Sequence, residues 1–264
     1  MKSGLIIYNK SDYQRNVWFV DKVINEFEKI NVSLLFIEEN DAVDYLKSNK
    51  VDFVIYRARN WEIPKQIEEA GIRCFNNSFT NHLSNDKSLT YKLLEKNGIP
   101  CIRSFASLDD IDEFPCIMKS IDGHGGKEVF LINSKSEAKD ISSKYNKTFV
   151  FQKYYKNSGD VRLYLLDKKV VAGVLRHNDK DFRSNYSLGG EVSIFVPPVE
   201  MQNIAENISQ ITDADFIGVD FLVTNGCYLV NEIEDPVGSR MLYKTSKIDI
   251  VSLFVLYICH TMGF

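Results

Sequence analysis

The amino-acid sequence predicts a mixed fold, α/β plus α+β, in which an α/β domain with a parallel sheet precedes two α+β lobes. Three observations lead to this fold class. Short apolar strands alternate with helical segments up to about residue 80, which is typical of a parallel sheet with crossover helices. Two strands then flank a glycine-rich loop. Beyond residue 150 the strands are long and joined by short turns, as in an antiparallel sheet.

The predicted boundaries divide the chain into an N-terminal domain at residues 1–83, a small lobe at 84–149 and a C-terminal lobe at 150–264. In the first domain we expect four strands with helices between them. The predicted strands are GLIIYN, SLLFIEEN, DFVIYRAR and RCFNN. The predicted helices lie in NVWFVDKVINEFEKIN, DAVDYLKSN and EIPKQIEEAG.

The small lobe opens with the helix in SNDKSLTYKLLEKNGIP. Ser84, Asn85 or Asp86 can cap its start, and Gly98 with Pro100 ends it. The stretch FPCIMKSIDGHGGKEVFLIN then indicates a strand, a glycine loop and a second strand, and SEAKDISSKY indicates a helix.

The predicted strand TFVFQKYY crosses the boundary between the two lobes. The C-terminal lobe continues with DVRLYLLDKKVVAGVLRHN, where LDKK is the predicted turn. VEMQNIAENISQIT is a predicted helix. The strand pair FIGVDFLVTNGCYLVNEIED turns at Asn225-Gly226, which is a strong hairpin signal. The apolar C-terminal stretch IDIVSLFVLYICHTMGF is shorter than a bilayer span and therefore predicts a buried helix.

The composition is that of an ordinary globular protein, with 44% hydrophobic and 26% charged residues. The net charge of −4 gives no general electrostatic reason to bind nucleic acid or an anionic membrane. The cysteines are odd in number and lack CxxC spacing, which argues against a zinc site and favours a reducing compartment. The N-terminal apolar run is too short for a signal peptide. We therefore expect a cytoplasmic protein without a nucleic-acid or membrane partner.

Three carboxylates lie on the last predicted hairpin, with Asp220 on its first strand and Glu232 and Glu234 on its second. Alternate residues of a strand share a face, so Glu232 and Glu234 project together. A two-residue turn pairs position 220 with 231 and separates Asp220 from them, whereas a longer loop or a bulge pairs Asp220 with Glu232. If the three converge, they require a hard cation such as Mg²⁺. The alternative is a solvent-facing edge strand.

In the loop DGHGGKEV, the lack of side chains at Gly123, Gly125 and Gly126 would let the backbone approach an anion closely. It is neither a Walker A loop nor a convincing GxGxxG fingerprint, and a plain hairpin loop is the alternative. Lys119 interrupts the apolar strand before the loop, where a lysine either reaches solvent or meets an anion. Lys87 opens the preceding helix, where its charge opposes the helix dipole and a nearby phosphate would offset that cost.

The segment RHNDKDFRSNYSLGGEVS concentrates donors, among them Arg176, Arg183 and Asn185, in an acidic protein. Such a cluster favours capture of a phosphate or a carboxylate, with a solvated loop as the alternative. Asp160 and Arg162 share one face at the start of a strand. They are either a simple ion pair or a ribose acceptor beside a phosphate-binding cation.

Taken in order, these segments resemble the ATP-grasp superfamily, and within it the RimK-like carboxylate–amine ligases of the alpha-L-glutamate type. The resemblance extends from DFVIYRAR to the last helix and is most specific in DFRSNYSLGGEVS, GVDFL and NEIE, in that order and spacing. It implies an ATP-grasp fold in which the two α+β lobes enclose a nucleotide. It also implies ATP and Mg²⁺ as cofactors, with two magnesium ions and Mn²⁺ as an alternative ion.

The resemblance and the residue patterns together give a candidate site. The candidate nucleotide-binding residues are Lys87, Lys119, Gly123, Gly125, Gly126, Gln152, Lys153, Tyr154, Tyr155, Asp160, Arg162 and Arg176. The candidate catalytic residues are Lys119, Arg176, Arg183 and Asn185. The candidate magnesium ligands are Asp220, Glu232 and Glu234, and the candidate substrate-binding residues are Arg57 and Arg240.

The sequence departs from the family pattern at positions that bear on the substrate. The third metal ligand of the family is usually Asn, and here it is Glu234. Its extra negative charge is expected to tighten metal binding or to require another cation, for which Arg240 is the candidate. Lys153 replaces a common Glu in the adenine-binding segment, and the family's N-x-x-P-G becomes EDPVG.

The predicted function is ATP-dependent formation of an amide or peptide bond between a carboxylate and an amine, on an amino acid or a peptide. An acyl phosphate is the expected intermediate, because a carboxylate oxygen is a poor leaving group. Two alternatives remain open, an ATP-grasp small-molecule kinase and a non-catalytic nucleotide-binding accessory protein. From the resemblance we expect a homodimer or a homotetramer.

Overall fold

The computed structural model describes residues 2–156, 159–177, 191–224 and 226–264. Its first sheet is parallel, with the strand order β2-β1-β3-β4. These strands are β1 (Ser3–Tyr8), β2 (Ser33–Glu38), β3 (Phe53–Tyr56) and β4 (Arg73–Phe75), and the helices between them are α1 (Lys10–Glu28), α2 (Glu39–Ser48) and α3 (Glu62–Glu69). Residues of β1 and β3 are almost wholly buried because helices cover both faces of the sheet. The prediction of a parallel sheet with crossover helices is confirmed.

Two short helices lead out of the first sheet, α4 (Ser78–Asn85) and α5 (Lys87–Lys96). The sequence predicts only the second of them, because the segment of α4, SFTNHLSN, is polar and lacks a helical apolar stripe. Asp86 separates the two helices and is the N-cap of α5, one of the three caps that the sequence allows. Its carboxylate accepts hydrogen bonds from the backbone N–H groups of Ser88 at 2.8 Å and Leu89 at 3.2 Å.

The small lobe contains an antiparallel sheet with the order β5-β8-β6-β7. Its elements are β5 (Ser104–Phe105), a short 3-10 helix (Leu108–Asp110), β6 (Cys116–Ser120), β7 (Val129–Ile132), α6 (Lys135–Ser142) and β8 (Phe149–Lys153). Strand β8 pairs with β5 and β6, so this sheet ends at Lys153 and extends past the boundary predicted at residue 149. Sequence spacing does not reveal which sheet a strand joins, since that depends on its pairing partners.

The largest sheet is antiparallel and has the order β11-β10-β9-β12-β13. It is built from β9 (Asp160–Leu166), β10 (Lys169–His177), β11 (Glu191–Phe195), β12 (Phe216–Thr224) and β13 (Cys227–Glu234). The helices of this lobe are α7 (Val199–Thr212), α8 (Arg240–Thr245) and α9 (Ile250–Met262). The predicted long antiparallel strands are confirmed.

The C-terminal helix α9 packs against α1, so the first and last parts of the chain share one hydrophobic core. Phe254 of α9 is buried against Phe216 of β12, with ring centroids 5.1 Å apart. Leu256 lies on the opposite face of the helix and is exposed. The helix predicted at the C-terminus is therefore confirmed, with one face buried and the other exposed. Among the described residues, no helix combines the length and hydropathy that crossing a bilayer requires.

Replacing the cap of α5 tests the start of a helix that carries a candidate phosphate-binding lysine. We expect Asp86→Ala to lower the free energy of unfolding by about 1 kcal/mol, because two backbone N–H groups lose their acceptor. The measurement is urea unfolding followed by circular dichroism. Asp86→Asn retains the acceptor oxygen and is expected to cost less. An equal loss for both variants would contradict this account of the cap.

Candidate active site

The register of the β12–β13 hairpin decides whether the three candidate metal ligands converge. Thr224 pairs with Cys227, so the hairpin closes with two intervening residues. The pairing then shifts by one residue, and Asp220 lies directly opposite Glu232. Asn231 is the extra residue of this β-bulge, since Phe221 pairs with Val230. The sequence predicts that the three carboxylates converge if the hairpin contains such a bulge, and this prediction is confirmed.

The bulge brings the carboxylates of Asp220, Glu232 and Glu234 into one cluster. Each offers an oxygen that lies within 4.8 Å of the oxygens of the other two. Asp220 is 2% exposed, and the two glutamates are half-buried. Three carboxylates at this separation repel one another unless cations lie between or beside them.

Two arginines from neighbouring strands compensate for the charge of Asp220. Arg162 of β9 donates from Nε and from one terminal nitrogen to the two oxygens of Asp220, at 2.6 and 2.7 Å. Arg176 of β10 donates to Asp220 at 2.6 Å and from Nε to Asp160. Burial alone would raise the pKa of Asp220, but the two guanidinium groups outweigh it and lower that pKa to about 2. The carboxylate is therefore ionised at neutral pH.

The cation that compensates for the unusual Glu234 is Arg162, which donates to the Glu234 carboxylate at 2.7 Å. The prediction that Arg240 supplies this charge is wrong, since Arg240 is exposed at the start of α8. Arg162 is also a predicted nucleotide contact. The structure instead places it beside the carboxylate cluster, with its donors directed to Asp220 and Glu234, and not among the residues that line the larger cleft.

Lys119 of β6 reaches the cluster from the small lobe. Its ammonium donates to the side-chain oxygen of Asn231 at 2.7 Å and lies 3.5 Å from the carboxylate of Glu232. Burial lowers the pKa of Lys119 although Glu232 acts in the opposite direction. Asn231 is a site residue that sequence reasoning missed, because its position depends on the bulge and carries no motif of its own.

Lys87 connects helix α5 to the glycine loop, donating to the backbone oxygen of Gly123 at 2.6 Å. Within the loop, Gly125 and Gly126 have positive φ angles of 66° and 74°, a conformation that side chains disfavour. A Cβ at Gly125 would meet no atom within 4 Å, so this part of the loop faces open space. The backbone of the loop can therefore approach a ligand closely.

A cleft lies between the small lobe and the large sheet. It brings together most of the predicted nucleotide site, namely Lys119, Gly123, Gly125, Gly126, Gln152, Lys153, Tyr154, Tyr155, Asp160 and Arg176. Two of the predicted magnesium ligands, Asp220 and Glu232, also line it. Four apolar side chains that the sequence analysis did not single out also line it, Ile102, Ile117, Val129 and Leu222. They supply the apolar surface that a planar ring requires. They are ordinary apolar residues and carry no sequence motif that marks them as part of a site.

A second, smaller cavity lies on the other side of Asn231 and Glu232, which line both spaces. Lys87 and Glu234 belong to its walls. The remaining residues of its lining are Arg59, Ser84, Asn85, Thr90, Tyr91, His124, Ile233 and Asp235. Asp235 is buried and accepts hydrogen bonds from the amide groups of Asn76 at 2.8 Å and Asn81 at 2.9 Å.

The two predicted substrate-binding arginines lie outside both cavities. Arg57 is buried and donates to the Tyr8 hydroxyl and to the backbone oxygen of Val237, each at 2.6 Å. Its guanidinium also stacks 4.3 Å from the ring centroid of Phe19. These contacts join the N-terminal sheet to the loop after β13. The predicted catalytic residues Arg183 and Asn185 lie outside the described residues.

The donor set of the site fits divalent cations bound together with a nucleotide. Carboxylate oxygens are the ligands that Mg²⁺ prefers, and it is usually completed by substrate phosphates. In the described part of the site, the carboxylates of Asp160, Asp220, Glu232 and Glu234 face an equal number of cations, Lys87, Lys119, Arg162 and Arg176. A nucleoside triphosphate adds about four negative charges, which two divalent cations would balance.

Comparison with known protein families agrees with this geometry. The model of the RimK-like ATP-grasp domain matches residues 84–258, well over half of the chain. The chain belongs to the RimK-like ATP-grasp family. Uncharacterized protein MG011 of Mycoplasma genitalium is 30% identical over 251 residues, which cover 91% of this chain and 86% of that protein. A probable alpha-L-glutamate ligase of Saccharophagus degradans is 26% identical over 211 residues, which cover 74% of this chain and 70% of that protein.

The fold is that of ATP-grasp ligases. The crystal structure of D-alanine–D-alanine ligase from Bacillus anthracis in complex with ATP superimposes with a TM-score of 0.79 at 18% identity. The match covers 100% of this chain and 97% of that chain. The RimK-like family consists of ATP-dependent ligases that join a carboxylate to an amine, and family membership places this protein in that enzyme class. ATP-grasp ligases in general use ATP and divalent metal ions.

Proposed function

We propose that this protein is a Mg-ATP-dependent ligase that joins a carboxylate to an amine through an acyl phosphate, with an amino acid or a peptide as substrate. The observation that carries the proposal is the common wall of the two cavities. Asn231 and Glu232 line both, and the carboxylate cluster lies at this wall. A nucleotide in the larger cleft and substrates in the second cavity would meet there.

The larger cleft is suited to ATP. We propose that the strand end at residues 152–155 contacts the adenine and that Asp160 contacts the ribose. The phosphates would extend toward the glycine loop and Lys119, with Lys87 behind the loop. Arg176 lines the cleft and donates to Asp220, and we propose that it contacts the transferred phosphoryl group.

The reaction needs stabilisation of charge on phosphoryl and carbonyl oxygens rather than a protein nucleophile. Phosphoryl transfer converts the carboxylate into an acyl phosphate, and the amine then attacks its carbonyl carbon and displaces phosphate. Lys119 and Arg176 are fixed by their partners before any substrate binds, so they need little reorganisation during the reaction. Such preorganised charges typically contribute about 10²–10³ in rate each.

We assign metal binding to Asp220, Glu232 and Glu234. When bound there, magnesium ions would supply Lewis-acid stabilisation of the phosphate oxygens. Arg162 would remain behind these ligands and hold Asp220 and Glu234 in position. The glycine loop, connected to α5 through Lys87, would exclude water from the acyl phosphate.

The relatives support the choice of substrate class. One relative is named a probable alpha-L-glutamate ligase, and one structural neighbour is a D-alanine–D-alanine ligase. Each name specifies an amino acid as a substrate. We extend the class, but not the individual amino acid, to this protein. We further propose a reducing, cytoplasmic location, which the five free cysteines support, and a homodimer or homotetramer.

ADP release from purified protein with Mg-ATP tests the proposed function. The reaction contains pooled amino acids and small carboxylic acids, and mass spectrometry of the pool identifies the products. We expect ADP together with a condensed product of two pool members. ADP with a phosphorylated product alone would support the kinase alternative. ATP-dependent thermal stabilisation without ADP release would support the nucleotide-binding alternative.

A further inference from the structure

The second cavity has walls of opposite charge. The carboxylates of Glu232, Glu234 and Asp235 lie on the side of β13. The cations of the lining are Lys87 of α5, which already donates to Gly123, and Arg59 on the side of the N-terminal domain. Two of the three carboxylates already have cationic partners, Glu232 at Lys119 and Glu234 at Arg162. Asp235 is held by neutral amide groups. A ligand that carries both a cationic and an anionic group matches this distribution.

Arg59 retains a donor that the described part of the protein does not satisfy. One terminal nitrogen pairs with the carboxylate of Asp12, but the Nε atom is buried and has no acceptor among the described residues. A buried donor without an acceptor costs about 1–3 kcal/mol, and more for a charged group. A ligand oxygen in the cavity that Arg59 lines would remove that cost.

The orientation of Arg59 is maintained from α1. Asp12 lies in the first turn of this helix and also accepts a hydrogen bond from Asn9 at 2.8 Å. Burial opposes ionisation, but Arg59 and Asn9 outweigh it and lower the pKa of Asp12. Asp12 therefore stays charged at neutral pH and fixes one side of the guanidinium. The Nε donor on the other side has no acceptor among the described residues, and a planar carboxylate matches the donor geometry of that side.

The other arginines considered for this role are unsuitable. The Nε and one terminal nitrogen of Arg57 have protein acceptors, and its guanidinium is stacked on Phe19. Arg240 is exposed and lines neither cavity. Within the described residues, Arg59 is the arginine that lines the second cavity.

We propose that Arg59 binds a carboxylate of the amine substrate that does not react, so that the acceptor is an amino carboxylate such as an amino acid or a peptide end. The proposal rests on the proposed ligase function and adds the specificity-determining residue. Arg59 does not line the nucleotide cleft, so the carboxylate that it binds is distinct from the one that receives phosphate. The amine would then lie toward the acidic wall, beside Glu234 and Asp235.

The experiment compares two acceptor pools in the ADP-release assay. One pool contains the standard L-amino acids, and the other contains their α-carboxamides, which keep the amine and lose the α-carboxylate. N-acetyl amino acids and small carboxylic acids serve as common donors, and mass spectrometry shows which partner supplied the amine. For the wild type we expect about 10- to 100-fold faster ADP release with the free amino acids, because a buried charged donor rejects an analogue that leaves it unpaired.

Variants of Arg59 assign the preference to this side chain. Arg59→Gln is expected to lower the rate with free amino acids to the rate with the carboxamides. Arg59→Lys keeps the charge but not the planar fork, so it should retain part of the preference. Arg15→Gln is the matched control, because Arg15 also lies near Asp12 but is exposed and does not line the cavity. It should leave the preference unchanged.

Thermal stabilisation by Mg-ATP is measured first for each protein. Its absence in the wild type would count against the proposed function itself. If stabilisation is present, no ADP release with either pool would count against the proposed ligase function, whereas equal ADP release with both pools would overturn the assignment of Arg59 alone. The same conclusion would follow if Arg59→Gln and Arg59→Lys both bind ATP and keep the wild-type preference.

Discussion

Glu232→Gln is expected to reduce Mg-dependent ATP turnover by at least about 100-fold. The substitution keeps the size of the side chain and one acceptor oxygen but removes a negative charge from the carboxylate cluster. It also removes the carboxylate from Lys119, whose ammonium lies 3.5 Å away. Both effects reduce the stabilisation of charge at the wall between the two cavities, where phosphoryl transfer is proposed to occur. Initial rates of ADP release over a range of Mg²⁺ concentrations measure the loss.

The matched control for this prediction is Glu200→Gln. Glu200 lies in the first turn of α7 and is exposed, so the same chemical change there should leave turnover unaffected. Thermal unfolding of both variants separates loss of activity from loss of folding. A Glu232→Gln protein that is folded and turns over ATP as fast as the wild type would contradict the metal-site assignment.

Arg162→Gln is expected to lower the free energy of unfolding by about 3–5 kcal/mol. Arg162 is a buried guanidinium that donates to both Asp220 and Glu234. Its removal leaves Asp220 with Arg176 as its remaining cation and leaves Glu234 without the partner seen here. An uncompensated buried charge is costly because it has lost its hydration without a replacement. Urea unfolding with excess chelator measures this loss in the absence of divalent cations.

The double variant Arg162→Gln/Glu234→Asn tests whether this loss of stability arises from an unpaired carboxylate. If the loss arises from an unpaired carboxylate, removing the charge of Glu234 should recover part of the stability. Arg103→Gln is the control, since Arg103 is exposed and its loss is expected to change the free energy of unfolding by less than about 0.5 kcal/mol. A comparable small change for Arg162→Gln would show that these ion pairs do not contribute to stability in solution.

Local sequence signals predict the elements that carry the site. The glycine loop, the position of Lys119 on an apolar strand, and the cap at Asp86 follow from short-range patterns, and each is found where it is expected. The shared face of Glu232 and Glu234 also follows from strand periodicity alone. Helix α4 is not predicted, because its buried residues include the polar Thr80 and Asn81, which bond to distant residues rather than forming an apolar stripe.

The ion-pair partners in the site cannot be predicted from such local sequence signals. Arg162 and Asp220 are 58 residues apart in the chain and meet because β9 and β12 are neighbours in register. The prediction of Arg240 as the partner of Glu234 relies on proximity in sequence, and strand pairing overrides it. Arg57 and Arg59 differ by two positions, yet one is enclosed by its own partners and the other lines a cavity.

The sequence by itself therefore determines the fold class, the family and the residue types of the nucleotide site, because strand and helix periodicity, turn residues and motif spacing are local properties of the chain. The tertiary structure decides three further features. It places the bulge at Asn231, which turns Glu232 toward Asp220. It selects Arg162 as the compensating cation, and it forms the second cavity that Arg59 lines. Each depends on contacts between segments far apart in sequence, and such contacts arise only when the chain is folded.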